Sequence, residues 1–212
     1  MFSETDLGFE FKTDSHLVFY GKKNCSLENL ISKYNAFEFR QVKQTHSDIL
    51  LHSFAKSEDT EADAHYTSEK NIALVVRTAD CIPAMIFDEN KNIILAVHAG
   101  WRGVQNQITL KSLKKLSLLG SIKIYIGPHI QKQSFKVDLD VKNLLTQTED
   151  DFTFAVNKYF VDLKKILIKQ IQTYTMPQFY YLDKDTATDL NFNSFRRDKD
   201  NSGRNLSFIV KF

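Results

Sequence analysis

Two apolar, β-branched-rich runs at 82–87 and 93–97 flank five polar turn formers, Asp88-Glu-Asn-Lys-Asn92. This pattern predicts a β-hairpin. With Phe87 facing Asn92, Ala84 meets Leu95 and, at the open end, Cys81 meets His98. Directly opposed residues carry Cβ atoms roughly 4.5–5.5 Å apart. A thiolate and an imidazole at that separation can share one metal ion, since zinc–sulfur bonds are about 2.3 Å and zinc–nitrogen bonds about 2.0–2.1 Å. Pro83 lacks a ladder donor, which confines its strand to an edge, a strand start or a bulge, and a bulge there would move Cys81 by one position.

After His98 the chain reads Ala-Gly-Trp-Arg-Gly, and Val104, Ile108, Leu113, Leu116 and Leu119 then recur at near-helical spacing before Gly120. A helix starting near Trp101 is expected, its free N–H groups making an anion pocket beside the Cys/His pair. Arg102 would close over that anion as a planar fork. A tight glycine turn with Arg102 in solvent is the alternative. Upstream, Phe9, Phe11, Leu17, Val18 and Phe19 predict short strands, with His16 in an exposed turn. A short helix over 27–34 opens at Ser26, and 39–46 alternates into a strand ended by Ser47 and Asp48. Strands are expected at 71–77, 122–126 and 206–212, and helices at 140–147 and 157–173, the second burying Phe160, Leu163, Leu167 and Ile171 on one face. Strands and helices alternating irregularly with hairpins argue an α+β fold with mixed sheets.

Length and charge narrow the field. A chain of 212 residues suits one domain over 1–212. The formal charge is +2, with both signs interspersed, which gives no reason to expect nucleic acid or a membrane surface as partner. No apolar run approaches ~18 residues and the first residues lack a signal-peptide pattern, so a cytoplasmic protein is expected. Cys25 and Cys81 are too few for a disulfide framework and are expected as thiols, Cys25 as a small buried group.

Thr78-Ala-Asp-Cys81 and His98-Ala-Gly-Trp-Arg-Gly103 resemble the two signature motifs of the bacterial laccase-domain family, whose members have been called multicopper polyphenol oxidases and later purine nucleoside phosphorylases. Gln44-Thr-His46 is similar to that family's Gln-x-His element, and the resemblance makes His46 a third metal ligand. Ala62-Asp-Ala64 matches another element. By its chemistry Asp63 either orients His46 or His98, accepts a proton near bound water, or simply shapes a turn. Asp80, beside the cysteine, is a candidate for similar support. Gly127-Pro-His-Ile130, Phe135-x-Val137 and the closing Arg196-Arg-Asp…Gly-Arg204 also fit. Arg196, Arg197 or Arg204 would then hold a ribose or phosphate, or pin the last strand. The chain departs from the family at Tyr20-Gly-Lys-Lys-Asn-Cys25, at Gln131 and at Lys136. His52, His65 and His129 carry no strong support as ligands. The fold implied is a single compact layered α/β sandwich with the metal site at a sheet edge.

Three protein ligands, His46, Cys81 and His98, leave a fourth position open, the pattern of a catalytic zinc site. The resemblance implies a zinc enzyme acting on purine nucleosides: phosphorolysis of adenosine, inosine or methylthioadenosine, or deamination of adenosine with Asp63 as proton shuttle. Phosphate or water is the co-substrate, and Trp101, Arg102 and Arg197 are the expected substrate contacts, with Phe135 or Trp101 stacking on the base. A copper-dependent polyphenol oxidase is the first alternative, opposed by a supply of only six histidines. A metal-free cysteine hydrolase using Cys81 and His98 is the second, and a nonenzymatic binding protein the third.

Overall fold

A computed structural model describes residues 1–54, 57–146 and 148–212. In chain order it runs β1 (Ser3–Glu4), β2 (Gly8–Lys12), β3 (His16–Gly21), α1 (Leu27–Lys33), β4 (Glu38–Arg40), β5 (Leu50–His52), β6 (Ala64–Thr67), β7 (Ile72–Thr78), β8 (Ile82–Asp88) and β9 (Ile93–Ala99). It continues with α2 (Trp101–Gln105), α3 (Ile108–Lys115), β10 (Ile122–Ile126), β11 (Lys136–Val137) and α4 (Leu139–Leu145). Last come β12 (Phe152–Ala155), β13 (Lys158–Val161), α5 (Leu163–Gln172), β14 (Gln178–Tyr181), α6 (Phe195–Asp198) and β15 (Asn205–Lys211). The fold is α+β with mixed sheets. One six-stranded sheet has the order β1-β2-β3-β15-β7-β4, the other β14-β10-β8-β9-β6-β5, and β11-β13-β12 form a small third. In the large sheets β4, β5 and β14 run parallel to their neighbours among otherwise antiparallel pairs.

The alternation of side chains explains the layering. Val18, Leu74, Val76 and Ile209 of the first sheet pack with Met85, Phe87, Ile94 and Ala96 of the second, so the two sheets bury one face against each other. The opposite faces are covered as well. Ala73, Val75, Phe208 and Val210 meet Leu30 of α1. Ile82, Ala84, Ile86, Leu95 and Val97 meet Ile108 and Leu113 of α3 and Ile166, Leu167 and Ile171 of α5. The central strands are thus buried on both faces, which is why they read as continuous apolar runs rather than as alternating ones. Ser26 caps α1 by accepting from the Asn29 N–H, as expected. No helix among the described residues is long and apolar enough to cross a membrane.

Several local expectations are corrected. The hairpin register is two residues off: Asp88 pairs with Ile93, and Pro83, not Cys81, faces His98. The turn is the cause. The Asp88 carboxylate accepts from the Lys91 N–H at 2.6 Å, and Asn92 turns left-handed at φ 51°, so it cannot pair with Phe87. The even offset leaves every side chain on its expected face. Pro83 stands near the start of β8, where pairing with β10 begins only at Ala84, so its missing donor costs nothing.

The helix expected after Trp101 is two pieces, broken by Gln107 at φ 59°, and Leu119 is exposed. The strand expected over 39–46 ends at Arg40. His16 is fully buried, not in an exposed turn, and its Nε2 meets the Tyr125 hydroxyl at 2.7 Å. Residues 157–161 are not helical. Val156 and Asn157 both take positive φ, forming a two-residue hairpin turn that joins β12 to β13, and Phe160 is only half-buried on that ribbon. The helix begins at Leu163, capped by Asp162. The helix expected over 140–147 is α4, with Gln147 outside the described residues.

Candidate metal centre

β9 delivers His98 from a strand paired with β8 along its whole length, and the backbone and side chain of this residue are both held by Asp63. The His98 N–H donates to the Asp63 carbonyl at 2.7 Å, and Nδ1 donates to the carboxylate Oδ1 at 2.7 Å. A carboxylate only accepts, so Nδ1 carries a proton and Nε2 is the ring atom left to bind a cation in place of its own proton. The other Asp63 oxygen accepts from the Thr45 N–H at 3.2 Å, the Ser47 N–H at 2.5 Å and the Ser47 hydroxyl at 2.7 Å. Those donors flank His46. One buried carboxylate therefore fixes two of the three histidine and cysteine donors.

His46 itself lies in a loop and has φ 61°, a conformation that non-glycine residues adopt only under constraint. The constraint comes from both sides: Asp63 on the N–H groups of 45 and 47, and Gln44, whose amide exchanges two 2.8 Å hydrogen bonds with the Arg77 backbone at the end of β7. Cys81 follows β7 through a short turn in which Asp80 has φ 83°. Asp80 does not point into the site. Its oxygens accept from the Thr186 hydroxyl at 2.7 Å and the Arg196 N–H at 2.6 Å, tying the start of α6 beside Cys81.

The three donor atoms of His46, Cys81 and His98 lie within 4.8 Å of one another. The His46 Nε2 is 3.8 Å from the Cys81 sulfur, and the two imidazoles meet edge to face with centroids 4.8 Å apart. The 3.8 Å separation suits two donors at ~2.0–2.3 Å from a common cation, while donors as far apart as 4.8 Å must draw together to share it; the imidazole–imidazole–thiolate set suits zinc or copper. Gly100 makes room for it. A Cβ there would stand 2.9 Å from both the Cys81 sulfur and His46 Cδ2, although its φ of −72° is open to any residue. The glycine is needed for space, not for backbone freedom.

The electrostatics favour an anionic sulfur. Burial pushes the Cys81 thiol up, but His98 and His46 beside it more than offset this and bring it to about 6. Burial likewise disfavours a charged His98, yet the thiolate and Asp63 hold it up at about 9. Asp63 is opposed by burial and held down to about 2 by its bonds to His98 and Ser47.

These donors open into a cleft of about 1050 Å³. Trp101 and Arg102 line it, the Arg102 guanidinium resting 4.4 Å over the Trp101 ring. Phe135, Arg196 and Arg204 line it as well. Arg197 does not. Its guanidinium donates to the carbonyls of Thr186, Ala187 and Phe192 and pairs with Asp198, so it pins the loop before α6. His52 is exposed on β5, its ring tilted against that of Tyr66. His65 is buried with Nε2 on the Val75 carbonyl, and His129 is buried with Nδ1 on the Gly127 carbonyl. Sequence reasoning missed Gln44 and Gly100 as builders of the site; each sat inside a motif already noticed, without a chemical group that marked it.

A family model described as multi-copper polyphenol oxidoreductase laccase matches residues 2–211. A purine nucleoside phosphorylase of Clostridium acetobutylicum is 30% identical over 221 residues, covering 99% of this chain and 90% of that protein. A purine nucleoside phosphorylase of Staphylococcus epidermidis is 33% identical over 156 residues, covering 69% of this chain and 59% of that one. Among solved structures, YlmD from Geobacillus stearothermophilus superposes with a TM-score of 0.87 at 20% identity, over 99% of this chain and 98% of the other. A Neisseria meningitidis protein does so with a TM-score of 0.80 at 18% identity, over 100% and 98%. At such identities the structural likeness bears on the fold alone.

Proposed function

This chain belongs to the multi-copper polyphenol oxidoreductase laccase family, and from that premise we propose that it is a zinc-dependent enzyme that cleaves purine nucleosides with phosphate. The single observation that carries the reading is the convergence of His46, Cys81 and His98 at the cleft, with donor atoms within 4.8 Å and an open side. The names of the relatives supply the substrate class. When bound, zinc would provide a Lewis acid next to the reacting atoms.

The chain's own residues do the rest. Asp63 holds the proton of His98 on Nδ1 and keeps the thiolate's neighbour in one orientation. Arg102, with no carboxylate partner among the described residues, is free to take phosphate oxygens on its fork. The Trp101 and Phe135 rings offer faces on which a purine stacks. In phosphorolysis a phosphate oxygen forms its bond to C1′ while the N9–C1′ bond breaks, and the departing purine takes a proton. Deamination of adenosine is the variant with water as co-substrate; Asp63, fully buried with both oxygens engaged, would act there only through His98 and not as the proton acceptor. Divalent copper competes for the same donors, so phenol oxidation by copper-loaded protein is expected as a side activity.

A metal-free cysteine enzyme is the second reading, and the line Asp63, His98, Cys81 with a thiol at about 6 favours it. In it His46 would only help hold the thiolate, 3.8 Å from its sulfur, and would ligate nothing. The test is to quantify zinc and copper in purified protein and supply adenosine or inosine with and without phosphate. Phosphorolysis predicts free purine and ribose 1-phosphate only with phosphate; inosine from adenosine without phosphate marks deamination. Zinc-loaded protein that forms none of these products sinks the nucleoside reading, and full activity after chelation would favour the cysteine.

A further inference from the structure

The cleft beside the metal centre carries far more positive charge than the chain as a whole. Arg77, Arg102, Lys136, Arg196, Lys199 and Arg204 all line it. They are six of 28 basic residues in a chain of net charge +2, so the excess is concentrated on this one wall. Among the described residues none of the six makes an ion pair with a carboxylate. The acidic residues of the cleft do not compensate. Only Asp80 and Asp138 stand against the six, and Asp138 is paired with Lys158 outside the cleft lining.

Apart from Arg77 on β7, the cations fall into two groups by element. Arg102 stands on α2 next to His98. Lys136 on β11 and Arg196 on α6 are joined, because the Arg196 Nη1 donates to the Lys136 carbonyl at 2.7 Å, and Lys199 and Arg204 follow on the segment leading into β15, where the Arg204 Nη1 donates to the Ser202 and Gly203 carbonyls and leaves the rest of the guanidinium for an anion. A neutral nucleoside and one inorganic phosphate call for one anion position. Like charges left unpaired in a shared cleft repel and are costly to hold without an anionic partner.

We propose that the cleft has a second anion position, built by Lys136, Arg196, Lys199 and Arg204, and that its ligand is a purine nucleoside bearing its own 5′-phosphate. This rests on the nucleoside reading above for the base and sugar, and adds the charge of the substrate. The reaction is unchanged: phosphate oxygen bonds to C1′, the N9–C1′ bond breaks, the purine leaves with a proton, and the sugar product is ribose 1,5-bisphosphate.

Trp101 is the sole tryptophan and lines the cleft, so its fluorescence reports binding. The experiment titrates the metal-containing protein with adenosine and with adenosine 5′-monophosphate, in saturating inorganic phosphate, and follows turnover of both by product analysis. The nucleotide is expected to bind about tenfold or more tightly than adenosine and to lose that advantage as salt is raised. In a Lys199→Gln/Arg204→Gln variant the ratio of the two affinities should fall about tenfold, while Lys115→Gln on α3 should leave it unchanged. Equal affinities, or a preference that disappears in inorganic phosphate, would overturn the second position and leave nucleoside phosphorolysis standing. Tight nucleotide binding with no turnover of either compound would keep the anion position and remove the phosphorylase reading.

Discussion

At the scale of single residues, Asp63 is the side chain on which the site hangs. It orients His98 through Nδ1 and clamps the N–H groups on both sides of His46. Asp63→Asn keeps one acceptor for His98 but turns an amide NH₂ toward donors, so metal affinity is expected to drop about 10–100-fold, measured by competition with a chromophoric chelator. His46→Ala should remove metal and turnover together, whereas His52→Ala, on an exposed strand, should change neither. The two cysteines separate cleanly. In metal-free protein Cys81 alkylation by iodoacetamide should rise through about pH 6, where its thiol ionises, and metal should protect it. Cys25 is pushed up to about 11 by burial and should stay unmodified at pH 8, which peptide mass spectrometry reads directly. Cys81 and His98 were legible from the hairpin pattern and motifs, although through a register two residues off. Asp63 was legible only as one of several roles, because a carboxylate in a turn-rich stretch does not show which donors it will meet. Arg197 read as a substrate contact because its neighbours are; nothing in a sequence distinguishes a guanidinium spent on carbonyls from one left free.

At the scale of elements, the site depends on close approach of two turns. Gly100→Ala would drive a methyl to 2.9 Å from the Cys81 sulfur and the His46 ring, so the variant should fold, keep its circular dichroism spectrum, and bind metal far more weakly. Full metal occupancy in that variant would refute the steric role. The β12–β13 turn makes the opposite point. Val156 is exposed and held at φ 49°, a poor place for a β-branched residue, so Val156→Asn should stabilise by about 1 kcal/mol in chemical denaturation. That turn also explains why the span over 157–173 was misread. Phe160, Leu163, Leu167 and Ile171 share a helical period, but the two positive-φ residues ahead of them set up a hairpin, which Asn157 signals only weakly and the β-branched Val156 speaks against. The long buried strands were readable because length and apolar content alone specify them.

At the scale of the whole molecule, two sheets packed face to face, with helices on both outer faces, hold the ends of β7, β8 and β9 at one place. The α+β class followed from the pattern of elements, but which strands would neighbour one another did not, since β15 inserts between β3 and β7 from the far end of the chain. Burial of polar groups inside this sandwich has a pH consequence. Burial drives the pKa of His16 and of His65 down to about 4. Between about pH 6.5 and 4 the unfolded chain takes up protons that the folded one refuses, so stability of the metal-free protein is expected to fall as pH drops through that window. Urea denaturation at a series of pH values measures it, and His16→Gln should flatten the slope.

The central claim is that His46, Cys81 and His98 share one cation. Anomalous diffraction at the zinc edge from crystals of the zinc-loaded protein tests it most directly. The account predicts a single strong peak about 2.0–2.3 Å from His46 Nε2, the Cys81 sulfur and His98 Nε2, with its remaining side toward the cleft. A peak elsewhere, or none with the Cys81 sulfur left unligated, would contradict it.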